Sequence, residues 1–161
     1  MAKKSGRRAH KKQTPQSKTI QNRRARHDYT LGDSLVVGMA LSGMEAKSLR
    51  LGHGQLQGAY VAVKDSELYL IGATIHGTTG IPIGDDGKDR TRKLLARRRE
   101  IDALIAAKSQ GRTIVPLEIL TRGRFIKLRI AVGTGKKRYD KREALKRKDQ
   151  ERTVRREIKI G

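Results

Sequence analysis

One stretch of the chain combines the side chains that neutralise phosphates with those that stack on bases. It spans residues 133–142 and reads Gly-Thr-Gly-Lys-Lys-Arg-Tyr-Asp-Lys-Arg. Six of its ten residues are Lys, Arg or Tyr, and its two glycines leave the backbone flexible. Apolar and polar residues alternate before this stretch well enough to bury a core, whereas the residues after it have too few apolar side chains. The stretch is therefore predicted to be an RNA-binding junction between a folded body and a basic tail.

The composition indicates one domain of modest size with a polyanionic partner. A chain of 161 residues suits a single core with tails. Its 38 Lys and Arg outnumber 16 Asp and Glu, and the resulting net charge of +22 would be screened by a nucleic acid. The absence of Cys excludes disulfides and thiolate metal sites, and no apolar run approaches the roughly 18 residues of a membrane span. We therefore expect a cytoplasmic protein.

Charge divides the chain into three segments. Residues 1–27 carry ten Lys or Arg and no acid, residues 28–132 carry sixteen against eleven acids, and residues 133–161 carry twelve against five. The first segment has too few apolar residues to offset its ordering entropy. We predict three parts: a disordered basic arm over 1–21, an RNA-binding domain over 22–132 and a basic tail over 133–161.

A second basic cluster lies where the arm meets the body, at residues 22–29, Asn-Arg-Arg-Ala-Arg-His-Asp-Tyr. Its cations lie beside the imidazole of His27 and the phenol of Tyr29, so that phosphate contacts and two stacking surfaces occur together. Tyr29 could instead begin the first strand and pack in the core, and His27 could make a local hydrogen bond. The cluster as a whole favours RNA.

The remaining patterns predict an antiparallel β domain with two short helices. Ser42 and Glu45 have the spacing of a helix capping box, and a helical apolar period after Arg97 ends at Gly111. Strands are expected in six apolar or β-branched runs, at 34–42, 56–63, 67–73, 91–96, 113–120 and 125–132. We predict a mainly β fold, a small closed antiparallel barrel of the oligonucleotide-binding type, with a sandwich as the alternative.

Two segments lack the apolar periodicity of these strands and helices. Residues 74–89 lose all periodicity and are expected to form a long surface loop, whose acids lack the spacing of a calcium-binding loop. In the tail, Asp140 and Glu143 repeat the capping-box spacing, which predicts that a helix begins with Asp140 as its cap. The tail has too few apolar residues to dock as a core helix, so we expect it to be mostly disordered when free and to become ordered on a polyanion.

Four blocks of the sequence, in this order, resemble the small protein B family, the SsrA-binding proteins of bacterial trans-translation. The blocks are 22–29, 43–50 (Gly-Met-Glu-Ala-Lys-Ser-Leu-Arg), 91–95 (Thr-Arg-Lys-Leu-Leu) and 135–142. The resemblance implies an oligonucleotide-binding barrel that holds the tRNA-like domain of transfer-messenger RNA and carries it into the A site of a stalled ribosome. The tail would lie as a helix in the empty messenger channel, and elongation factor Tu would cooperate indirectly.

The basic clusters and the resemblance together predict two sets of site residues. The set for transfer-messenger RNA is Asn22, Arg23, Arg24, Arg26, His27, Tyr29, Glu45, Lys47, Arg50, Arg92 and Lys93. The set for the decoding centre and messenger channel is Gly135, Lys136, Lys137, Arg138, Tyr139, Asp140, Lys141, Arg142, Lys146 and Arg147. Tyr139 would stack on a ribosomal RNA base. The sequence departs from the family at Val36, Gly58, Ala59, Arg97 and in the loop 74–89.

Two other classes of function compete with this interpretation. A structural ribosomal protein would also carry basic tails on a small barrel, but it would bind ribosomal RNA permanently. An enzyme is disfavoured because His27, His53 and His76 are scattered, no Ser or Cys nucleophile motif occurs, and the glycines match no phosphate loop. We therefore expect a monomeric RNA-binding protein without catalytic residues, cofactor or bound metal.

Overall fold

The architecture is that of a computed structural model, which describes residues 19–160; the side chains at 138, 139, 144 and 153–160 lie outside that description. The strands are β1 (Ile20–Gln21), β2 (Tyr29–Met39), β3 (Gly54–Gln55), β4 (Tyr60–Lys64), β5 (Glu67–Ile71), β6 (Thr74–Ile75), β7 (Arg92–Leu95), β8 (Thr113–Leu120) and β9 (Lys127–Gly135). The helices are α1 (Ala25–Asp28), α2 (Gly43–Arg50), α3 (Asp85–Lys88), α4 (Arg98–Ser109) and α5 (Arg138–Ile160). None of these helices is both long and apolar enough to cross a membrane.

Seven strands form one antiparallel sheet in the order β1-β8-β9-β2-β7-β5-β4, and β3 pairs with β6 as a separate two-stranded ribbon. The large sheet curls so that β4 packs against β8, and the apolar faces of its strands meet in a core that includes the fully buried Leu68, Leu128 and Ile130. The predicted mainly β fold with short helices is confirmed. Hydrogen-bonded closure is not found within residues 19–160, because β1 pairs with the outer edge of β8 and leaves β4 as an open edge.

The pair formed by β2 and β9 is the longest in the sheet. Its register runs from Tyr29 opposite Gly135 to Gly38 opposite Lys127, with an irregularity between Leu31 and Ser34. A second irregularity lies in β8 directly after Pro116, where the missing N–H removes a ladder bond and a bulge is the expected accommodation.

Both predicted helices are present. The hydroxyl of Ser42 accepts a hydrogen bond from the Glu45 amide at 3.3 Å, and the Ser42 amide donates to the Glu45 carboxylate at 2.8 Å, which is the predicted capping box at the start of α2. In α4, Ile101 and Leu104 are buried at the predicted helical spacing, and Gly111 follows the helix with a positive φ of 77°.

The strand boundaries differ from the predictions at several points. The predicted strand over 56–63 is shorter, because Gly58 turns the chain with a φ of 78° and β4 begins only at Tyr60. The predicted hairpin that follows is confirmed, and its two turn residues, Asp65 and Ser66, have φ values of 51° and 58°, as a type I′ turn requires. Residues 74–89 are not a structureless loop, since β6 lies at their start and α3 at their end.

The segment after β9 forms the helix α5, whereas we expect a mostly disordered free tail. The helix begins at Arg138, so Asp140 is its third residue and not its cap; the Asp140 carboxylate accepts a hydrogen bond from the Lys137 amide at 3.2 Å. Sheet pairing extends past both predicted boundaries, through Ile20 and Gln21 at one end and to Gly135 at the other. The division into three parts stays a prediction, and most of the predicted arm lies outside the described residues.

The interior contains a fully buried arginine, Arg92 on β7. All five of its N–H groups have an acceptor. Its Nε donates to Glu45 Oε1 at 2.9 Å, and its two terminal nitrogens donate to backbone carbonyls at 2.7–2.9 Å. The carbonyls are those of Ala73, Gly87, Lys88 and Arg90. The guanidinium therefore holds the segment before β7 against the core.

Glu45 is the acid at the centre of this network. It is 2% exposed and accepts bonds from Arg90 at 2.8 and 2.5 Å as well as from Arg92. Burial alone would raise the pKa of Glu45, but Arg90, the Ser42 amide and Arg92 outweigh burial and hold the pKa below its ordinary value. The carboxylate is therefore charged and links α2 to β7.

Replacing Arg92 with Met should lower the free energy of unfolding by about 3–5 kcal/mol, because one partner of a buried ion pair is removed and four carbonyls lose their donor. Urea denaturation measures the change. Lys93→Met is the matched control, since the neighbouring Lys93 forms a solvent-exposed pair with Glu67 and its loss should alter stability little. Equal stabilities of the two variants would contradict a structural role for Arg92.

Candidate nucleic-acid interface

The two basic segments singled out in the sequence meet in space. Tyr29, at the end of the first segment, lies opposite Gly135 in the sheet. The Lys136 amide donates to the Asp28 carbonyl at 2.9 Å, and the Lys136 ammonium donates to the Arg26 carbonyl at 2.9 Å. Residues more than a hundred positions apart thus form one basic surface, which we call the junction surface: residues 22–29 together with 135–142.

Asp28 is one of the two acids of the junction surface, the other being Asp140. The Oδ1 of Asp28 lies 3.0 Å from His27 Nδ1 and 3.1 Å from the ammonium of Lys141 in the first turns of α5. The hydrogen bonds from His27 and then from Lys141 hold the pKa of Asp28 below its ordinary value. The carboxylate therefore connects α5 to the body through a charge-assisted contact, and the local hydrogen bond considered for His27 is present.

The glycines expected to make the junction flexible are part of the sheet. Gly133 and Gly135 both pair with β2, opposite Leu31 and Tyr29. A Cβ on Gly133 would come within 3.2 Å of the Tyr29 Cβ, so glycine here permits close approach of the strands. Only residues 136 and 137 separate the sheet from α5, and both backbones are hydrogen-bonded.

Asn22 is fixed by the bulge in β8. Its amide donates to the Leu117 carbonyl at 2.7 Å, and its side-chain nitrogen donates to the Pro116 carbonyl at 3.0 Å. The bulge thus turns two consecutive carbonyls toward the incoming chain. Ala25, the first residue of the short helix α1, is buried three residues later, so the start of this helix is anchored. The neighbouring cations Arg23, Arg24 and Arg26 are exposed.

A cavity of about 610 Å³ borders the same segment. Residues 19–24 line one side, and the chain from Gly52 to Gln57, after α2, lines the other. A smaller cavity of about 160 Å³ shares part of this lining, and its other lining residues include Arg26 and Arg129. Polar and cationic side chains at the rim of a concave surface suit the sugar and phosphate groups of an RNA backbone.

The structure separates some of the predicted RNA-binding residues from this surface. Glu45 and Arg92 are buried and bonded to each other and to further interior groups, so their side chains support the fold and are not exposed to a ligand. Lys93 is exposed on β7, where it pairs with Glu67 at 2.5 Å. Lys47 and Arg50 are exposed on α2, beyond the opposite end of β2 from Tyr29.

The predicted decoding residues lie along the last sheet residues and the first turns of α5. Gly135, Lys137, Asp140 and Arg142 are exposed, as are Lys146 and Arg147 farther along the helix, whereas Lys136 and Lys141 are half-buried at the junction. The backbone places Arg138 and Tyr139 in the first turn, and their side chains lie outside the described part of the structure. The stacking role of Tyr139 stays a prediction.

The departures from the family fall on different parts of the fold. Val36 is 41% exposed on β2, opposite Arg129, so it places an apolar group on the outer face of the sheet. Arg97 is the N-cap residue of α4, and its amide donates to the Glu100 carboxylate at 2.7 Å, which is a structural role. Sequence reasoning missed Arg129, because its place beside Asn22 depends on the β8 bulge, for which only Pro116 was a signal.

Comparison with known proteins agrees with these observations. The family model described as "SmpB protein" matches residues 19–160. The SsrA-binding protein of Streptococcus suis (strain 98HAH33) is 39% identical over 140 residues, which is 86% of this chain and 90% of the relative. The SsrA-binding protein of Oleidesulfovibrio alaskensis is 42% identical over 139 residues, with 86% and 90% covered.

A solved structure shows the same architecture. A chain from a study described as "tmRNA-SmpB: a journey to the center of the bacterial ribosome" superposes with a TM-score of 0.62 and 35% identity, covering 82% of this chain and 95% of that chain. The family resemblance predicted from four sequence blocks is confirmed. This chain belongs to the SmpB protein family.

Proposed function

We propose that this protein binds the tRNA-like domain of transfer-messenger RNA, or SsrA, and delivers it to the A site of stalled ribosomes for trans-translation. Family membership over residues 19–160 is the observation that carries the proposal, because the relatives are named as SsrA-binding proteins and the superposing chain comes from a study of tmRNA and SmpB. The protein acts by binding and makes or breaks no covalent bond. It works as a monomer in the cytoplasm, with elongation factor Tu cooperating indirectly.

The body of the protein supplies the surface for transfer-messenger RNA. Its exposed cations at 23, 24 and 26 project from a segment that is anchored by Asn22 and Ala25. Such anchoring limits the entropy lost on binding, because the backbone that carries the cations is already ordered. Counterions released from the neutralised phosphates supply much of the affinity and make it dependent on salt.

The helix α5 supplies the second surface. The sequence of this helix is strongly cationic, and its exposed residues include Arg142, Lys146 and Arg147. A helix of this charge fits a channel walled by ribosomal RNA and left empty by a truncated messenger. Because α5 emerges beside the RNA-binding segment, one protein can hold transfer-messenger RNA and probe the decoding centre at the same time.

Binding measurements separate this function from that of a structural ribosomal protein. The protein should bind a transcript of the tRNA-like domain at physiological salt much more tightly than an unrelated structured RNA of equal length. Arg24→Gln should weaken this binding and reduce the slope of log K against log salt by about one unit. Arg98→Gln is the matched control, since Arg98 is exposed on α4 and pairs with Asp102. Equal affinity for both RNAs would instead favour the structural ribosomal protein.

Tyr139→Ala should weaken the interaction with the decoding centre by about 1–3 kcal/mol, because an aromatic ring that stacks on a base is lost. Tagging of nascent chains on ribosomes stalled in vitro measures the effect. Tyr60→Ala, at a half-exposed tyrosine on β4, is the control and should leave tagging unchanged. Unchanged tagging by the Tyr139 variant would remove its proposed role.

A truncation that removes the tail should start at Arg138, since β9 pairs as far as Gly135 and a cut at 133 would remove part of the sheet.

We further propose that Asp28 sets the direction of α5 through its contact with Lys141. Since the pKa of Asp28 in the folded state is lowered by His27 and Lys141, the contact is present at neutral pH and is lost only in acid, as the pH falls through this lowered pKa. Lys141→Met should raise the pKa of Asp28 toward its ordinary value, as followed by carboxyl-carbon NMR shifts. Lys137→Met is the control, because the Lys137 side chain is exposed. An unchanged Asp28 pKa in the Lys141 variant would show that the contact is absent in solution.

A further inference from the structure

The connection between β8 and β9 presents an aromatic ring to solvent. Phe125 is the only Phe of the chain and is 67% exposed. The next residue, Ile126, is 5% exposed and fills the core position at the start of β9, so the chain directs Phe125 outward. Single exposed apolar residues are common and carry no meaning by themselves. The residues around this ring indicate whether it could bind a ligand.

The connection is braced on both sides. Leu120 pairs with Lys127 at its base, and Gly123 allows the turn with a φ of 90°. Arg50, at the end of α2, donates from its Nη2 to the carbonyl of Arg124 at 3.0 Å. The ring therefore lies on a short loop that is hydrogen-bonded to a helix. Because this loop is already held in place, little conformational entropy is lost when a ligand binds.

Charge around the ring favours a polyanion. The guanidinium carbon of Arg124 lies 5.3 Å from the centroid of the Phe125 ring, within the range of a cation–π contact. Residues 121–127 contain three cations and no acid. An aromatic ring with a guanidinium over one face and further cations beside it matches the chemistry that holds an unpaired base and its flanking phosphates.

We propose that this loop is a second RNA-contacting site, at which an unpaired base stacks on Phe125 while Arg124 and Lys127 contact the adjoining phosphates. Lys127 and Gly135 lie at opposite ends of β9, eight residues apart, so the site is roughly 26 Å along the strand from the junction surface. The proposal does not rest on the function in trans-translation, because it concerns unpaired bases in any structured RNA.

The test compares two RNA probes with the full-length protein. One probe is a hairpin whose unpaired loop carries 2-aminopurine, and the other is a blunt duplex of the same stem. Phe125→Leu should weaken hairpin binding about 5- to 150-fold and abolish the fluorescence change on stacking, while duplex binding is retained. Phe125→Trp should keep both signals. Tyr60→Leu, at the half-exposed tyrosine on β4, is the matched control and should behave as wild type.

Two outcomes would overturn the proposal. The first is that Phe125→Leu retains the wild-type preference for the hairpin, which would mean that the ring contacts no base. The second is an equal loss of hairpin and duplex binding, which would leave only a general effect of charge or folding. Thermal unfolding of the Leu and Trp variants identifies a folding effect, and the 67% exposure of Phe125 predicts unchanged midpoints. Affinity for the tRNA-like transcript is measured separately, so failure here leaves the proposed function intact.

Discussion

The buried pair of Glu45 and Arg92 is the constraint on which the rest of the structure depends. A guanidinium in an apolar interior is tolerated only when every donor is satisfied, and here one carboxylate and four carbonyls do so. Three of those carbonyls belong to residues 87–90, just before β7, so the pair orders a segment that has little apolar content of its own. The same carboxylate caps α2. The position of α2 in turn sets that of Arg50 and the loop it braces.

Three acids of the chain, Glu45, Asp28 and Glu118, lie where they organise cations. Glu45 lies in the interior with two arginines, Asp28 lies between a histidine and the first turns of α5, and Glu118 pairs with Arg129 at 2.5 Å. Each of these carboxylates orients neighbouring Lys, Arg or His side chains, while the most exposed cations of the described surface are not paired with them. The result is a molecule of net charge +22 in which the remaining surface stays cationic. A polyanionic ligand then meets charges whose supporting backbone is already fixed.

Local signals in the sequence were sufficient for the elements whose causes are local. The capping box of Ser42 and Glu45 and the helical period of Ile101 and Leu104 depend on residues within a turn of each other, and both helices are present. The burial of Arg92 was not predictable in this way, because arginine is normally exposed and its acceptors come from segments distant in sequence. The meeting of the two basic segments likewise depends on the long register of β2 with β9. The predicted cap position of Asp140 was wrong because the helix begins at Arg138, three residues earlier than a cap at Asp140 implies.

The link between β9 and α5 is only two residues long, so the helix moves together with the sheet. With 23 residues, α5 is about 34 Å long, and its base has almost no slack because Lys136 and Lys137 are both hydrogen-bonded. Tilting the sheet by about 10° would therefore sweep the far end of the helix through roughly 6 Å, a distance comparable with one helical turn. The orientation of the body on its RNA therefore determines the position of the far end of α5.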